Sequence, residues 1–247
     1  MKKKGTEVYD NAQFFANYLK RRNRSNSPNT ILEEPIIDEL IAPLSGLKVL
    51  DLGCGDGLYG EKIVSQGAYS YYGVDASKNM IAASQKNLSG LERIQLEHEH
   101  LEKIDLPENT FDLALSRLVF HYIENLEKVF KKINKALIPE GKFVFSVEHP
   151  IITSNYESYH QGDRKGSWVV RSYFSETERA NEWIGEKVVK YHKTIQTYFS
   201  LLKKTGFTID SIRESKPEID RFLDQKEFHR RSQVPLFLIF KAYKTSL

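Results

Sequence analysis

The sequence contains a single cysteine, Cys54, among its 247 residues, which excludes an internal disulfide and a CxxC metal site. No apolar run approaches the roughly 20 residues that a membrane-spanning helix needs. The opening "MKKKGTEVYD" is basic but has no apolar stretch after it, so it does not fit a signal peptide. We therefore expect a cytoplasmic protein with no membrane partner.

The chain also has no large excess of positive or negative charge. The formal net charge is +3, and the Lys and Arg residues are spread along the whole chain. A nucleic-acid groove normally collects its basic residues on one face, so we expect no nucleic-acid partner. The seven histidines are scattered, and the "EHEH" run at 97–100 lacks a third ligand at fixed spacing, so we expect no metal. A monomer and a homodimer both stay open.

Short β-type runs alternate with helical segments between residues 47 and 150, which predicts a parallel sheet with crossover helices. The runs are "LKVLDL" (47–52), "SYYGVD" (70–75), "RIQLEH" (93–98), "FDLALS" (111–116) and "KFVFSVE" (142–148), with helical candidates near 57–66, 77–89 and 124–137. "FTIDSIRE" and "PLFLIFKAYK" read as two final strands, joined by a polar segment at 216–233.

Further helices are predicted outside this core. They cover residues 6–22 and 187–205, and "TILE" matches a capping box with Thr30 as the cap and Glu33 three residues on. We predict an N-terminal helical cap over 1–45 and a main domain over 46–247. That domain contains an irregular insertion or lid at about 151–186.

The stretch "VLDLGCGDG" places Gly53, Gly55 and Gly57 directly after the first strand. Bare backbone at this point lets a ligand approach closely, as in the loops that bind dinucleotides. Leu58 stands where those loops carry their third glycine, and Asp51 lies two residues before the loop. A carboxylate there would repel a pyrophosphate, but it suits the sulfonium and ammonium of S-adenosylmethionine.

The second strand ends at Asp75, where a carboxylate can accept hydrogen bonds from both ribose hydroxyls. Together the two features indicate an adenosine with an unphosphorylated ribose and a cationic tail. The alternative interpretation is a tight turn followed by a surface aspartate.

With "YYGVDAS", "LPENTFDLALSRLVFHYI" and "GKFVFSVEHP", the glycine stretch resembles a class I S-adenosylmethionine-dependent methyltransferase over about 47–150. "EHP" and "YHKTIQTY" more loosely resemble a bacterial small-molecule group within it. The resemblance implies an α/β fold with a doubly wound, Rossmann-like, mostly parallel seven-stranded sheet and an antiparallel last strand. It also implies S-adenosylmethionine as cofactor and S-adenosylhomocysteine as product.

Carried over position by position, the resemblance implies cofactor contacts from Asp51, Gly53, Cys54, Gly55, Asp75, Ala76, Met80, His100, Leu101 and Ser116. The family usually places an acidic residue where His100 stands here. A neutral imidazole can accept one hydrogen bond from the adenine. The Leu101 backbone N–H is the other candidate, and Glu99 or Glu102 could substitute. An exposed loop histidine is the remaining interpretation of His100.

Five residues are candidates for the reacting end: His149, His121, Arg117, Tyr191 and Tyr9. His149, at a strand tip, is a candidate general base, or it only holds the turn. His121 is expected one helical turn beyond Arg117, facing the same pocket or supporting it. Tyr191 and Thr194 would share a helix face with Tyr198, which we expect to pack on the sheet. Tyr9 would belong to a lid with other N-terminal aromatics, or pack on the core.

Other polar and aromatic residues carry weaker expectations. His192 is a lesser candidate for substrate contact, and Glu148 is interpreted as structural. Trp168 and Trp183 form either an aromatic wall for the substrate or a small core of the insertion.

The leading functional hypothesis is methyl transfer to O or N of a small molecule. A methyltransferase acting on RNA or protein is the alternative, although "SRLVFH" stands where base-amino methylation enzymes carry an NPPY-type motif. A non-catalytic cofactor-binding protein also stays open. A nicotinamide dehydrogenase is disfavoured by the glycine spacing and by Asp51.

Overall fold

The computed structural model describes residues 3–5, 7–22, 24–154 and 168–246. Its strands are β1 (Lys3–Lys4), β2 (Lys48–Leu52), β3 (Ser70–Asp75), β4 (Ile94–His98), β5 (Phe111–Arg117), β6 (Leu137–Glu148), β7 (Glu178–Trp183), β8 (Glu186–Tyr191), β9 (Phe207–Glu214) and β10 (Phe237–Lys244). Its α-helices are α1 (Ala12–Arg22), α2 (Glu34–Ile41), α3 (Leu58–Ser65), α4 (Lys78–Asn87), α5 (Leu126–Ala136), α6 (Pro150–Ser154), α7 (Ile195–Lys204) and α8 (Gln225–Arg231).

Seven of the strands form one sheet in the order β4-β3-β2-β5-β6-β10-β9. β2 pairs in parallel with β3 and β5, and β10 is antiparallel to both β6 and β9. The chain therefore winds outward from β2 in both directions, and the last strand runs against the rest. This confirms the predicted fold class.

Neighbouring residues of each central strand are buried on opposite faces of this sheet. One face packs on α2, α3 and α4, and its cluster includes Val49, Leu113, Val144, Ile37, Ile63 and Ile81. The other face packs on α5 and α7, and its cluster includes Leu50, Ala114, Phe143, Phe130 and Leu202. Burial on both faces explains why the middle residues of the central strands β2, β3 and β5 are mostly apolar.

The N-terminal segment is less uniform than predicted. The helix expected over 6–22 divides at Asn11, because a 3-10 turn covers Glu7–Asp10 and the Asn11 side chain then caps α1 by accepting from Phe14 N at 3.0 Å. The predicted domain boundary at 45/46 stays a prediction. Ile37 and Ile41 of α2 belong to the same buried cluster as the sheet.

The predicted capping box at Thr30 is wrong. Thr30 lies inside a π-helical turn, Asn29–Glu33, and Ser27 Oγ accepts from its N–H at 3.3 Å. Glu33 is fully buried and bonds to other parts of the chain, so it does not reach back to cap the helix.

The predicted helix over 187–205 is wrong in its first part. Residues Glu186–Tyr191 form β8, which pairs with β7 through a tight turn at Ile184 and Gly185, both at positive φ. α7 begins only after Thr194, whose side chain caps it by accepting from Thr197 N at 3.1 Å. β-branched Val188 and Val189 favour a strand here, so the proposed face of hydroxyls from Tyr191 and Thr194 does not form.

A second, three-stranded sheet of order β1-β8-β7 lies beside the N-terminal segment. Val8, Phe14 and Val188 form its small core, with Tyr9, Tyr18, Tyr122 and Trp183 packed against it. Of the predicted insertion over 151–186, residues 155–167 lie outside the described part. The remainder contributes α6 and β7. Within the described ranges, no helix has both the length and the apolar character to cross a bilayer.

Candidate active site

A cavity of about 550 Å³ lies at the carboxyl ends of β2, β3, β5 and β6. Parallel strands that wind outward from the centre leave a crevice at this edge, where α/β proteins bind their ligands. Residues at the strand tips form its base, and the N-terminal segment and Trp183 of β7 also line it. We call the part near β2 and β3 the cofactor half and the part near β6 and β7 the acceptor half.

The glycine loop needs its glycines for two different reasons. Gly53 has φ 83°, and a Cβ there would lie 2.2 Å from a methyl carbon of Val119. Gly55 has φ 58° and nothing within 4 Å of its Cβ position, so its bare backbone borders open space. Both residues line the cavity, together with Cys54. The loop therefore leaves room for a ligand against the backbone, as the sequence predicts.

Asp75 lines the cavity at the tip of β3, and its carboxylate also shapes the loop. Oδ2 accepts from Gly55 N at 3.0 Å and Oδ1 accepts from Ser77 N at 2.9 Å. Burial raises the pKa of Asp75 to about 6, although these two hydrogen bonds act to lower it. Each oxygen retains acceptor capacity beyond its one donor.

Asp51 lines the cavity from the tip of β2 and is 2% exposed. Its Oδ2 accepts from the Tyr71 hydroxyl at 2.7 Å. Burial raises the pKa of Asp51 to about 6 as well, against the lowering effect of the Tyr71 hydrogen bond. Two neighbouring carboxylates thus resist ionisation, and a cation placed between them would stabilise their charged forms.

Ala76, Met80, His100 and Leu101, the residues that the resemblance implies for the adenine side, also line the cavity. His100 donates its backbone N–H to Glu99 Oε1 at 2.7 Å. Glu102 lines the cavity and Glu99 is not among its lining residues. Of the two acidic substitutes considered from the sequence, only Glu102 therefore reaches the site.

Three of the predicted site residues are not brought to the cavity. Ser116 is fully buried and donates to Leu52 O at 2.7 Å, so it joins β5 to β2. His149 is 1% exposed, contacts Glu214 Oε1 through Nε2 at 3.0 Å, and accepts from Ile151 N at 3.1 Å. Tyr191 ends β8 and is absent from the lining. His149 therefore holds the turn after β6, and the general-base interpretation does not fit its position.

The residues with weaker expectations also differ in whether they reach the cavity. Tyr198 is 2% exposed and packs in the sheet core. His192 contacts Thr153 Oγ1 at 2.7 Å and Tyr173 O at 2.7 Å, away from the cavity. Trp168 donates to Ile151 O at 2.9 Å and is not among the lining residues, whereas Trp183 is.

Arg117 and His121 both line the cavity, as predicted. Arg117 ends β5, and its guanidinium donates from Nε to Glu33 Oε2 at 3.1 Å. The ring of Tyr59 lies 3.8 Å from the same guanidinium, which is a close cation–π contact. Glu33 also accepts from Ser146 Oγ at 2.6 Å, so both of its oxygens are bonded.

His121 lies in a 3-10 turn, Phe120–Tyr122, and is 2% exposed. Its Nδ1 accepts from the Glu148 backbone N–H at 3.3 Å. Burial lowers the pKa of His121 to about 3, so the ring is neutral near pH 7. Because Nδ1 is an acceptor, we assign the proton to Nε2. His121 is therefore a hydrogen-bond donor toward its surroundings rather than a base.

Glu148 lines the acceptor half and is paired with Lys190, which the sequence did not indicate. Lys190 Nζ lies 2.5 Å from Glu148 Oε1, and it also lies 5.7 Å from the Tyr122 ring centroid and 5.5 Å from that of Trp183. Burial acts to raise the pKa of Glu148, but the positive charge of Lys190 holds it below its ordinary value. The carboxylate is thus ionised at neutral pH.

Tyr9 lines the cavity within an aromatic cluster. Its ring centroid lies 5.4 Å from Phe14, 4.9 Å from Tyr18 and 6.3 Å from Trp183, all edge to face. Two hydrogen bonds fasten this segment to the cofactor half. Asp10 Oδ1 accepts from Ser77 Oγ at 2.7 Å, and Tyr9 O accepts from Asn79 Nδ2 at 3.0 Å. The aromatic segment therefore packs on its own core and also lies over the site.

Comparison with known proteins adds to this geometry. A family model described as a methyltransferase domain matches residues 50–145. A structure from Listeria monocytogenes described as an S-adenosylmethionine-dependent methyltransferase is 30% identical with a TM-score of 0.79, covering 87% of this chain and 97% of that one. One from Mesorhizobium loti is 30% identical with a TM-score of 0.77, covering 89% and 99%. An uncharacterised Haemophilus influenzae protein is 34% identical over 96% of both chains.

The fold and the strand-tip site define a nucleoside-binding α/β protein of the methyltransferase type. The chain belongs to the class I S-adenosylmethionine-dependent methyltransferases, and S-adenosylmethionine is its cofactor.

The residues of the cofactor half fit this group. Gly55 borders open space, and neither Asp51 nor Asp75 forms an ion pair with another described residue. In the described part of the chain, no cluster of three or more potential metal ligands is found.

Proposed function

We propose that the protein transfers the methyl group of S-adenosylmethionine to a nitrogen or oxygen atom of a small-molecule acceptor. The observation that supports this best is the position of the acceptor half beneath Tyr9, Tyr122 and Trp183. These rings help to line a cavity of about 550 Å³, a volume within the range of small-molecule sites. A folded RNA or protein acceptor would need an exposed approach to the same atoms.

Curated relatives that match shorter parts of the chain are compatible with either acceptor atom. A malonyl-[acyl-carrier protein] O-methyltransferase of Ilyobacter polytropus is 28% identical over 51% of this chain. A phosphoethanolamine N-methyltransferase of Arabidopsis thaliana is 28% identical over 74% of it. Their names indicate oxygen and nitrogen as acceptor atoms, so they leave the atom open here.

We assign roles in the cofactor half by position. Asp75 would accept hydrogen bonds from the ribose hydroxyls, and Asp51 with the backbone of the glycine loop would face the cationic methionine portion. Ala76, Met80 and Leu101 would flank the adenine, with His100 or the Leu101 N–H at its polar edge. The cofactor supplies an electrophilic methyl group on a positively charged sulfur.

Methyl transfer is an in-line displacement, so the protein has mainly to align two reactants and exclude water. His121 is neutral with its Nδ1 occupied, and Glu148 is held below its ordinary pKa. Neither side chain is a strong base at neutral pH. We therefore expect catalysis by alignment in the acceptor half, with the acceptor's proton passing to water.

The test is transfer of a labelled methyl group to fractions of a bacterial extract. The purified protein is incubated with methyl-labelled S-adenosylmethionine and either the small-metabolite, the RNA or the protein fraction. We expect label and S-adenosylhomocysteine to form with the small-metabolite fraction, and no label with the Asp75→Ala variant. Label found only in RNA or protein, or no transfer to any fraction, would contradict the proposal.

A further inference from the structure

Glu148 stands at the right place in the sheet to meet a methyl acceptor. It is the last residue of β6, and β5 lies between β6 and β2, which carries the glycine loop. Neighbouring strands are about 4.8 Å apart, so the tip of β6 lies roughly 10 Å from the loop. A cofactor held on the β2 and β3 tips would thus leave the space in front of β6 for the second substrate.

The Glu148 carboxylate is only half satisfied. Oε1 accepts from Lys190, whereas Oε2 is buried and has no hydrogen-bond partner among the described residues. The side chain is 21% exposed and lines the cavity. Buried carboxylate oxygens are nearly always bonded, so an unbonded one calls for an explanation.

Glu33 shows what a structural carboxylate looks like in the same cavity. It is 0% exposed, and both of its oxygens are bonded, one by Ser146 and Arg117 and the other by Arg117. The fold can therefore saturate a carboxylate at this edge of the sheet. At Glu148 it leaves one oxygen without a donor, beside the acceptor half.

Charge decides what kind of donor suits this oxygen. Lys190 already balances the negative charge of Glu148, and it occupies the space near the Tyr122 and Trp183 rings that a ligand cation would prefer. A neutral O–H or N–H group can be bound without disturbing that balance. A carboxylate has no proton to donate at neutral pH, and two carboxylates repel each other.

We propose that Glu148 binds the methyl acceptor by accepting a hydrogen bond from its neutral hydroxyl or amino group, so that the acceptor is an alcohol, phenol or amine and not a carboxylate. This rests on the proposed function. A lone pair of the bound oxygen or nitrogen forms the new bond to the methyl carbon. The carbon–sulfur electron pair stays on sulfur, and the proton of the acceptor passes to water.

Three probes that share one ring test the preference: phenol, aniline and benzoate. Each is titrated at pH 7.5 into the protein loaded with S-adenosylhomocysteine, and crystals of the same complex are soaked with each. We expect phenol and aniline to bind at least about tenfold more tightly than benzoate in the acceptor half. The phenol oxygen or aniline nitrogen should lie within hydrogen-bond distance of Glu148.

The Glu148→Gln variant sharpens the test. Lys190 donates, so the amide oxygen should face it, and the amide NH₂ would then point where Oε2 stands. A donor would replace an acceptor, and benzoate should gain affinity while aniline loses it. The matched control is Glu214→Gln, which changes a carboxylate that bonds His149 outside the cavity. It should leave all three affinities unchanged.

Glu148→Gln leaves the charge of Lys190 unpaired, so a charge-balanced variant is included. The double variant Glu148→Gln with Lys190→Met has no charge at this position and should also lose the preference for aniline over benzoate. Benzoate binding as tightly as aniline to the wild-type protein would overturn the proposal. So would an unchanged preference in the variants, or no binding of any probe at millimolar concentration.

These binding measurements need no turnover, so a failure of this proposal can be distinguished from a failure of the proposed function. If S-adenosylhomocysteine binds and the probes show the expected preference, the proposal stands even where none of them is methylated. If S-adenosylhomocysteine itself fails to bind, the proposed function fails instead.

Discussion

The two halves of the cavity are built in different ways. Most of the cofactor half comes from one part of the chain, because residues 51–57 and 75–80 belong to one βαβ unit and His100 and Leu101 follow the next strand. The acceptor half joins segments far apart along the chain, since Tyr9, His121, Glu148 and Trp183 meet only after folding. The first half carries the element that the family shares, and the second can vary without disturbing it.

Arg117 lies between the two halves, and its loss should have the largest effect. Arg117→Met leaves the fully buried Glu33 carboxylate without its cation, and breaking such a pair costs about 3–5 kcal/mol. We expect the free energy of unfolding in urea to fall by that amount. The double variant Arg117→Met with Glu33→Leu should recover most of it. No recovery would mean that the unpaired charge of Glu33 is not what destabilises the single variant.

Replacing Asp75 should impair the cofactor half and leave the acceptor half unchanged. Asp75→Ala removes the acceptors expected for the ribose and also the hydrogen bond that holds Gly55. Two hydrogen bonds to a charged group are worth roughly 3 kcal/mol or more, so S-adenosylmethionine affinity should fall about 100-fold in calorimetry.

The matched control is Asp220→Ala, in an exposed turn away from the cavity, which should bind normally. Unchanged affinity in Asp75→Ala would remove this residue from the cofactor half.

The charge of Asp51 should lower the stability of the ligand-free protein and strengthen the binding of the cofactor. Its pKa in the folded protein is raised to about 6, so the stability tied to its neutral form is lost as pH rises from about 4 through 6. Asp51→Asn can still accept from Tyr71 and has no charge to bury. We expect the free energy of unfolding without ligand to rise by about 1–3 kcal/mol at pH 8, and by less at pH 5.

Urea unfolding at the two pH values measures this, and S-adenosylmethionine should bind the same variant less tightly. A gain of equal size at both pH values would exclude the charge of Asp51 as its source.

Asp10 should give the smallest effect, because it only links the aromatic segment to the cofactor half. Asp10→Ala removes the hydrogen bonds with Ser77 Oγ and Asn79 N. We expect S-adenosylhomocysteine to dissociate about fivefold faster in stopped-flow experiments, which corresponds to roughly 1 kcal/mol. An unchanged dissociation rate would show that the segment does not cover the cofactor.

The sequence could predict that Gly53, Gly55 and Asp75 line one end of the cavity, whereas their contacts with the cofactor stay predictions. The glycines follow a strand directly, and Asp75 ends the next one, so the positions of these residues follow from the order of the strands. The prediction that Ser116 contacts the cofactor did not allow for a side chain near a strand tip that turns into the sheet. There Ser116 donates to Leu52 O.

The acceptor half resisted prediction because its contacts span long stretches of sequence. Lys190 reaches Glu148 across 42 positions, and Arg117 reaches Glu33 across 84. Tyr191 was misplaced because residues 187–191, which include Val188 and Val189, form part of a strand and not the start of the predicted helix. His149 was placed at the correct strand tip, but whether its ring would face the cavity or Glu214 depended on β9. The only sign of Glu33 that we find in the sequence is a glutamate within the largely apolar stretch "TILEEPII".

The affinity for S-adenosylmethionine as a function of pH tests the electrostatic basis of the cofactor half most directly. Asp51 has a pKa of about 6 without ligand, and a bound cation favours its charged form. We expect calorimetric affinity to fall about tenfold more between pH 7.5 and 5 in the wild-type protein than in Asp51→Asn. Equal slopes in the two proteins would contradict the selection of a cationic ligand by this carboxylate.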